Sequence, residues 1–288
     1  MIHTFIKYGF IILLFSAGLV ACKRTGKKKE VKSPPGYDLS QPEKFNMPGS
    51  LLEISGISFY NGKADTIYAI QDEEGKLFRL APGVKKQLNS KFGKKGDYED
   101  LTMLGDKVIV LKSNGTLLSF AKADVVYEDI DSVQEWKGVV PKGEYEGLYG
   151  DAATGMLYML CKNCQGDAEA DKVSGYILQA GDSIKPVGNF SISVAEIKPF
   201  SGKVKSGFRP SALAQNPLTR EWFILSGTNK LLVVTDTAWK VKNAYPLNGN
   251  TFNQAEGIAF DAAGNLYISN EGDDIIDGNI LRFNRQLK

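Results

Sequence analysis

The sequence predicts an all-β domain, a five-bladed β-propeller whose N- and C-terminal strands pair to close the ring. Groups of short apolar strands recur in phase along the chain, and each group begins at an aliphatic anchor. The spacings between successive anchors are 44, 47, 65 and 45 residues. A period near 45 residues with four short strands per unit is typical of propeller blades. The anchors are Ile57, Leu101, Leu148, Leu213 and Ile258.

The last unit is the clearest copy of the repeat. Residues 255–261 form a first strand, an Asp/Gly/Asn turn leads to a second strand at 266–271, and 278–283 form a third. Only 30 residues follow Ile258, which is enough for three strands. We therefore expect residues 42–48, ahead of the first anchor, to supply the missing outer strand and so remove exposed edges.

The interval between Leu148 and Leu213 is longer than the others. Two polar stretches, 162–174 and 196–208, are predicted to account for the excess as loops. A β-sandwich also contains short alternating strands, but five copies in phase favour the propeller.

Residues 1–21 have the pattern of a secretory signal, with Lys7 ahead of an apolar run at 9–20 that is short for a membrane span. The run ends in Leu-Val-Ala-Cys at 19–22, which resembles the lipobox of bacterial lipoproteins. That resemblance implies that Cys22 is acylated and anchors the chain to a membrane of the cell envelope. An ordinary signal peptide, or a membrane anchor with a chance cysteine, is the alternative.

Residues 22–35 are basic, lack aromatic side chains and are predicted to form a solvated tether, followed by a single propeller domain at 36–288. The whole chain has 35 basic and 33 acidic side chains, of which residues 1–35 hold seven and one, so the domain keeps 28 and 32, a balance of −4. Because the basic charge lies on the tether, we expect no nucleic-acid partner. We also expect a monomer.

The predicted domain contains no histidine, since the only one is His3 in the signal segment. This excludes Ser-His-Asp and Cys-His catalysis and removes imidazole as a metal ligand. A metal site in this domain must therefore use oxygen ligands, which favours calcium or magnesium.

Three of the five units carry a glutamate two residues before the anchor, where the innermost strand of a blade begins. Carboxylates that converge at one end of the channel raise each other's pKa, and a calcium ion removes that cost. The alternative is a structural clamp, in which each glutamate accepts hydrogen bonds from backbone amides of the next blade. The predicted calcium ligands are Glu99, Glu146 and Glu256, together with Asp72, Asn270 and Glu271 from the loops after the second strands.

The fourth unit has Arg209-Pro210-Ser211 at the corresponding place, so a fully symmetric site is excluded. Arg209 is the only cation that we expect near the carboxylates.

Cys161 and Cys164 form a CxxC motif that is predicted to follow a strand and enter a polar loop. A zinc site needs a further pair of ligands, and a thioredoxin-like motif lies at a helix start. A local disulfide is therefore the favoured interpretation.

Three short motifs resemble the SdiA-regulated family of bacterial envelope proteins, which is distantly similar to NHL-repeat propellers. The resemblance covers about residues 37–285 and implies a five-bladed propeller with a calcium site and no established biochemical activity. The motifs are Leu-x-Glu-Ile-Ser-Gly-Ile at 51–57, Tyr/Ala-Glu-Gly-Ile/Leu at 145–148 and 255–258, and Ile-Ser-Asn-Glu at 268–271.

These features favour a non-enzymatic, calcium-binding module of the cell envelope that binds a small-molecule or protein ligand. The anchor, the rigid fold and the lack of a nucleophile–base pair support this hypothesis. The alternative is a calcium-dependent hydrolase of an ester, lactone or phosphoester, in which a metal-bound water attacks the substrate and Asp72 faces it. The sequence does not identify the ligand or the membrane.

Overall fold

The computed structural model describes residues 32–84, 86–201 and 207–286. Cys22 and the signal segment lie outside these residues. Twenty strands form five four-stranded antiparallel sheets, which confirms the five-bladed propeller. Within the described part of the chain, no helix is long and apolar enough to cross a bilayer.

The blades follow one another along the chain, and each runs outward from an inner strand. The first blade contains β2 (Ile54–Ser58), β3 (Ile67–Gln71), β4 (Lys76–Leu80) and β5 (Gln87–Lys91). The second contains β6 (Tyr98–Leu104), β7 (Lys107–Lys112), β8 (Leu117–Ala121) and β9 (Gln134–Trp136). The third contains β10 (Gly143–Asp151), β11 (Met156–Cys164), β12 (Lys172–Ala180) and β13 (Ile184–Ser193).

The fourth and fifth blades complete the ring. The fourth contains β14 (Ala212–Gln215), β15 (Trp222–Ser226), β16 (Leu231–Thr235) and β17 (Val241–Pro246). The fifth contains β18 (Ala255–Phe260), β19 (Leu266–Asn270), β20 (Asn279–Phe283) and, as its outer strand, β1 (Glu43–Asn46). Among the described residues, the helical segments are one α-helix, α1 (Val194–Ser201), and 3₁₀ turns at Gly49–Leu51, Tyr60–Gly62 and Lys122–Val126.

The predicted closure is confirmed, because β1 pairs antiparallel with β20. Phe45 of β1 lies opposite Ile280 and packs into the apolar cluster between the fifth and first blades. This pairing joins the two ends of the domain and supplies the fourth strand of the last blade.

The long third interval is filled differently from the prediction. Of the first predicted loop, residues 165–171 form a turn, but the strands around it extend to nine or ten residues, and α1 occupies the start of the second predicted loop. Both cysteines consequently belong to β11 rather than to a loop. The extra residues lengthen the sheet because strand pairing satisfies their backbone groups, which a long loop leaves to water.

Apolar packing is concentrated between the blades. Five separate clusters fill the five interfaces between neighbouring blades. Every residue of the second strands β3, β15 and β19 is buried, as expected for strands covered on both faces. The inner strands contact one another around the axis, so the channel ends present residues from all blades.

Candidate functional site

β-Bulges lie where the inner strands begin. In β6, β10 and β18, one residue is skipped in the pairing with the second strand of the blade. A bulge leaves its extra residue unpaired and redirects the side chain. The three skipped residues are the predicted glutamates Glu99, Glu146 and Glu256.

Two further predicted acids lie where second strands end. The Asp72 N–H donates to the Glu53 carbonyl across the first blade, and the Glu271 N–H donates to the Gln254 carbonyl at 2.9 Å across the fifth. These contacts continue the strand pairing by one residue toward the same end of the channel. We call this end the acidic mouth, defined by Asp72, Glu99, Glu146, Glu256 and Glu271.

The carboxylates of the acidic mouth act on one another. Burial, followed by the charge on Glu146, raises the pKa of Glu256 to about 7. Burial and then the charges on Glu256 and Asp72 raise the pKa of Glu271 to about 8. Burial, with the neighbouring Glu53 and Glu73, raises the pKa of Asp72 to about 6. Three acids from the fifth and first blades thus lose their protons only near neutral pH.

Glu99 and Glu146 form a second group, contributed by the second and third blades. Burial and the charge on Glu146 raise the pKa of Glu99 far above its ordinary value. Glu99 therefore keeps its proton beside Glu146 and Asp97, whose charges add to the effect of burial. Burial raises the pKa of Glu146 as well, although Lys162 opposes this effect. Because the two carboxyl groups repel each other when charged, they do not both ionise.

The cation nearest these acids is Lys162, not Arg209. The Lys162 ammonium lies 2.7 Å from Glu146 Oε1 and 3.3 Å from Glu144 Oε1. Arg209 is exposed, and the Asn229 side chain accepts a hydrogen bond from its backbone N–H. The prediction for Arg209 was wrong because sequence spacing does not show that Lys162 is a bulged residue of β11, at the place that Asp72 and Glu271 occupy just after their strands.

Asn270 is fully buried, and its amide donates to Asn279 Oδ1 of β20 at 3.0 Å. Its own Oδ1 has no hydrogen-bond partner, and neither has Asp72 Oδ1. Buried polar atoms usually have a partner. Both predicted ligands therefore retain an unused oxygen, and their role stays a prediction.

Sequence reasoning missed Asp100, the neighbour of Glu99. Its carboxylate is buried and accepts hydrogen bonds from the backbone N–H groups of Leu101 and Leu148, each at 2.8 Å. Burial raises its pKa well above the ordinary value. Asp100 joins the inner strands of the second and third blades, so it is a clamp of the kind considered as the alternative for the glutamates.

The two cysteines of β11 form a disulfide, with Cα atoms 6.0 Å apart, within the range that such a bond spans. The bridge packs on Gly143, where an added Cβ would lie 2.5 Å from the Cys164 sulfur.

The opposite end of the channel has a different character. A cavity of about 310 Å³ lies there, lined by the five anchors and by residues from the ends of all five inner strands. Its walls include Phe59, Met103 and Phe260. Polar side chains such as Gln215 and Asp261 also line it, so the cavity is of mixed polarity and lacks the glutamates of the acidic mouth.

Part of this chain matches a known protein family. Residues 190–273 match the SdiA-regulated family. The matched segment runs from the outer strand of the third blade to the loop after β19, and it includes Glu256, Asn270 and Glu271. The SdiA-regulated resemblance is thus confirmed for this segment. No curated protein sequence matches the chain.

Solved structures with the same architecture are similar to this chain in fold alone. The glutaminyl cyclase of Myxococcus xanthus is 13% identical, with 85% of this chain and 96% of that chain covered and a TM-score of 0.57. Regucalcin of Agrobacterium tumefaciens, described as a calcium-binding protein, is 12% identical, with 88% and 96% covered and a TM-score of 0.51.

Proposed function

We propose that this protein is a binding module of the cell envelope that holds a calcium ion at the acidic mouth, on the side formed by Asp72, Glu256 and Glu271. The observation that carries this proposal is the convergence of three carboxylates with raised pKa values from two neighbouring blades. Among the described residues, none of the three has a Lys or Arg side chain within ion-pair distance. Lys162 and Lys230 act on Glu256 only from beyond ion-pair distance, and a divalent cation would supply positive charge in direct contact with the carboxylates.

Calcium suits these groups for two reasons. It accepts 6–8 oxygen ligands with loose geometry, and the described domain offers carboxylates and carbonyls without any imidazole. The unpartnered, buried Asp72 Oδ1 is a ligand atom of the required kind. The calcium-binding description of the Agrobacterium propeller agrees with this choice.

The same ion would be needed by the alternative activity, a calcium-dependent hydrolase. A metal-bound water requires the metal first, so calcium binding is the experiment that comes before any assay of hydrolysis. We favour the binding module because the described domain has no histidine to act as a general base beside a nucleophile.

Calcium is expected to raise the melting temperature of chelator-treated protein, and more strongly at pH 8 than at pH 5.5. The folded carboxyls keep their protons up to about pH 7 for Glu256 and 8 for Glu271, above their ordinary value of 4.5. The calcium-free protein therefore loses stability as the pH rises through this window, while the ligands become available to the ion. At 100 times Kd the stabilisation is about 2.7 kcal/mol.

Differential scanning fluorimetry with calcium, with magnesium and with neither ion at equal ionic strength measures this effect. An unchanged melting temperature in calcium at pH 8 would contradict the proposal.

We propose further that Cys22 carries the lipid anchor. The Tyr37 hydroxyl donates to the Gly264 carbonyl at 2.6 Å and accepts from the Asn216 amide at 2.9 Å. Both partners lie just beyond the ends of inner strands, at the channel end opposite the acidic mouth. Residues 37–46 thus lead into the propeller from that opposite end.

Cys22→Ser is expected to abolish incorporation of a labelled fatty acid and to release the protein from the membrane fraction, because the thiol is the acylated group. Metabolic labelling followed by fractionation measures both effects. Lys28→Ala in the same segment serves as the control and is expected to keep the label. Membrane retention of unlabelled Cys22→Ser protein would argue for a different anchor.

A further inference from the structure

The position after the second strand has a different charge in different blades. In the first and fifth blades, Gln71 and Asn270 are the last paired residues, and the acids Asp72 and Glu271 follow them. In the third blade the corresponding paired residue is Cys161, opposite Tyr145, and Lys162 follows it. A lysine therefore stands where two other blades present a carboxylate.

The local backbone of the third blade turns Lys162 toward the acids. Pairing passes from Cys161 opposite Tyr145 to Asn163 opposite Glu144, which skips Lys162. Glu146 is skipped on the facing strand β10. Each strand thus contributes one unpaired residue, and the two side chains meet in an ion pair of 2.7 Å.

The disulfide bridges the bulged part of β11 that carries Lys162. Cys161 and Cys164 flank Lys162, so the bridge closes a ring of four residues around it. Gly143 leaves room for the Cys164 sulfur on β10, and the Cys161 sulfur lies 3.3 Å from the Glu144 carbonyl. The two strands that carry Glu146 and Lys162 are therefore both in contact with this disulfide.

The charge of the Lys162 ammonium affects several carboxyl groups of the acidic mouth. Burial lowers the pKa of Lys162, but the hydrogen bond and charge of Glu146 outweigh that effect and raise it. Its positive charge also reaches Glu99 and Glu256.

We infer that Lys162 is a built-in cation of the acidic mouth, positioned by the Cys161–Cys164 disulfide, that neutralises Glu146 and confines metal binding to the side of Asp72, Glu256 and Glu271. The confinement of the metal rests on the proposed calcium function, whereas the positioning of Lys162 does not. The disulfide is in this view a positioning element for a charge rather than a redox centre.

A double-mutant cycle without calcium tests the positioning. Lys162→Met, Glu146→Gln and their combination are compared by denaturant unfolding, first with the disulfide and then in a Cys161→Ala/Cys164→Ala background. With the bridge, the coupling between Lys162 and Glu146 is expected to correspond to a roughly 10- to 100-fold change in the equilibrium constant of unfolding. Without the bridge it is expected to fall to the roughly 1- to 5-fold of an exposed pair.

Lys162→Arg, which keeps the charge, is expected to retain most of the coupling and guards against a general loss of folding. Equal coupling in both backgrounds would overturn the positioning role. Absence of coupling with the bridge intact would overturn it too.

Calorimetric calcium titration of the intact protein tests the confinement. Lys162→Met is expected either to tighten calcium binding about tenfold or to add a second bound ion, because Glu146 becomes free to bind. Lys137→Met, on an exposed side chain, is the matched control. Unchanged affinity and stoichiometry in Lys162→Met would overturn the confinement. Absence of calcium binding in every variant would refute the proposed function and the confinement together, while the cycle would still decide the positioning.

Discussion

Glu256→Gln is expected to weaken calcium binding about 100-fold or more, the cost of removing one charged partner from a desolvated site. The same substitution is expected to stabilise the calcium-free protein at pH 8. Its carboxyl has a pKa of about 7 in the fold and an ordinary value of 4.5, so above pH 7 the folded state bears a buried charge that glutamine lacks. At pH 5, where the glutamate keeps its proton in the fold, this advantage is expected to shrink.

Glu256→Gln is thus expected to weaken calcium binding and to stabilise the calcium-free protein. This combination distinguishes a calcium ligand from a structural clamp. Glu135→Gln is a matched control, since Glu135 lies on β9, the outer strand of the second blade, and forms an exposed ion pair with Lys137. Calcium titration and melting curves at pH 5 and 8 provide the measurements. A variant that binds calcium like the original protein would remove Glu256 from the ligand set, and a variant destabilised at pH 8 would favour the structural clamp.

Gly56→Ala is expected to destabilise the domain by about 3 kcal/mol, the upper end of overpacking effects in a close-packed interior. An added Cβ would lie 2.5 Å from Asp100 Oδ1 and 2.8 Å from the Leu101 backbone nitrogen. Backbone atoms of β6 cannot give way without breaking the hydrogen bonds that Asp100 makes to Leu101 and Leu148. The inner ring must therefore open, and urea unfolding measures the loss.

Gly49→Ala is the natural comparison, because no atom lies within 4 Å of an added Cβ at that position. Its unfolding midpoint is expected to stay within the range of ordinary surface substitutions, about 0.5 kcal/mol. Equal stability of the two variants would show that the inner strands of the first and second blades have more freedom than their contacts indicate.

The two ends of the channel suggest a division of roles. The acidic mouth offers charged oxygens, whereas the opposite cavity is lined by the five anchors and by aromatic side chains. The anchors are nearly inaccessible, for example 1% exposed at Leu101 and 4% at Ile258. A ligand at the mouth therefore meets carboxylates, whereas a ligand in the opposite cavity meets aliphatic and aromatic side chains together with the polar groups of Gln215 and Asp261.

The sequence by itself determined the number of blades and the closure of the ring. Both follow from periodicity and burial, because a strand pattern that repeats near every 45 residues must stack its units to cover their apolar faces. It also determined which end of the blades carries Glu99, Glu146 and Glu256, since residues at one repeat position are related by rotation about the axis.

The tertiary structure alone decided which charges meet there. β-Bulges turn the three glutamates out of their ladders, and a further bulge in the third blade brings Lys162, rather than Arg209, to Glu146. A bulge is an extra residue in one strand, and it exists only relative to the strand that pairs with it. The identity of the cation, the raised pKa of Glu99 and the clamp formed by Asp100 depend on such contacts across strands, which residue spacing along one strand does not encode.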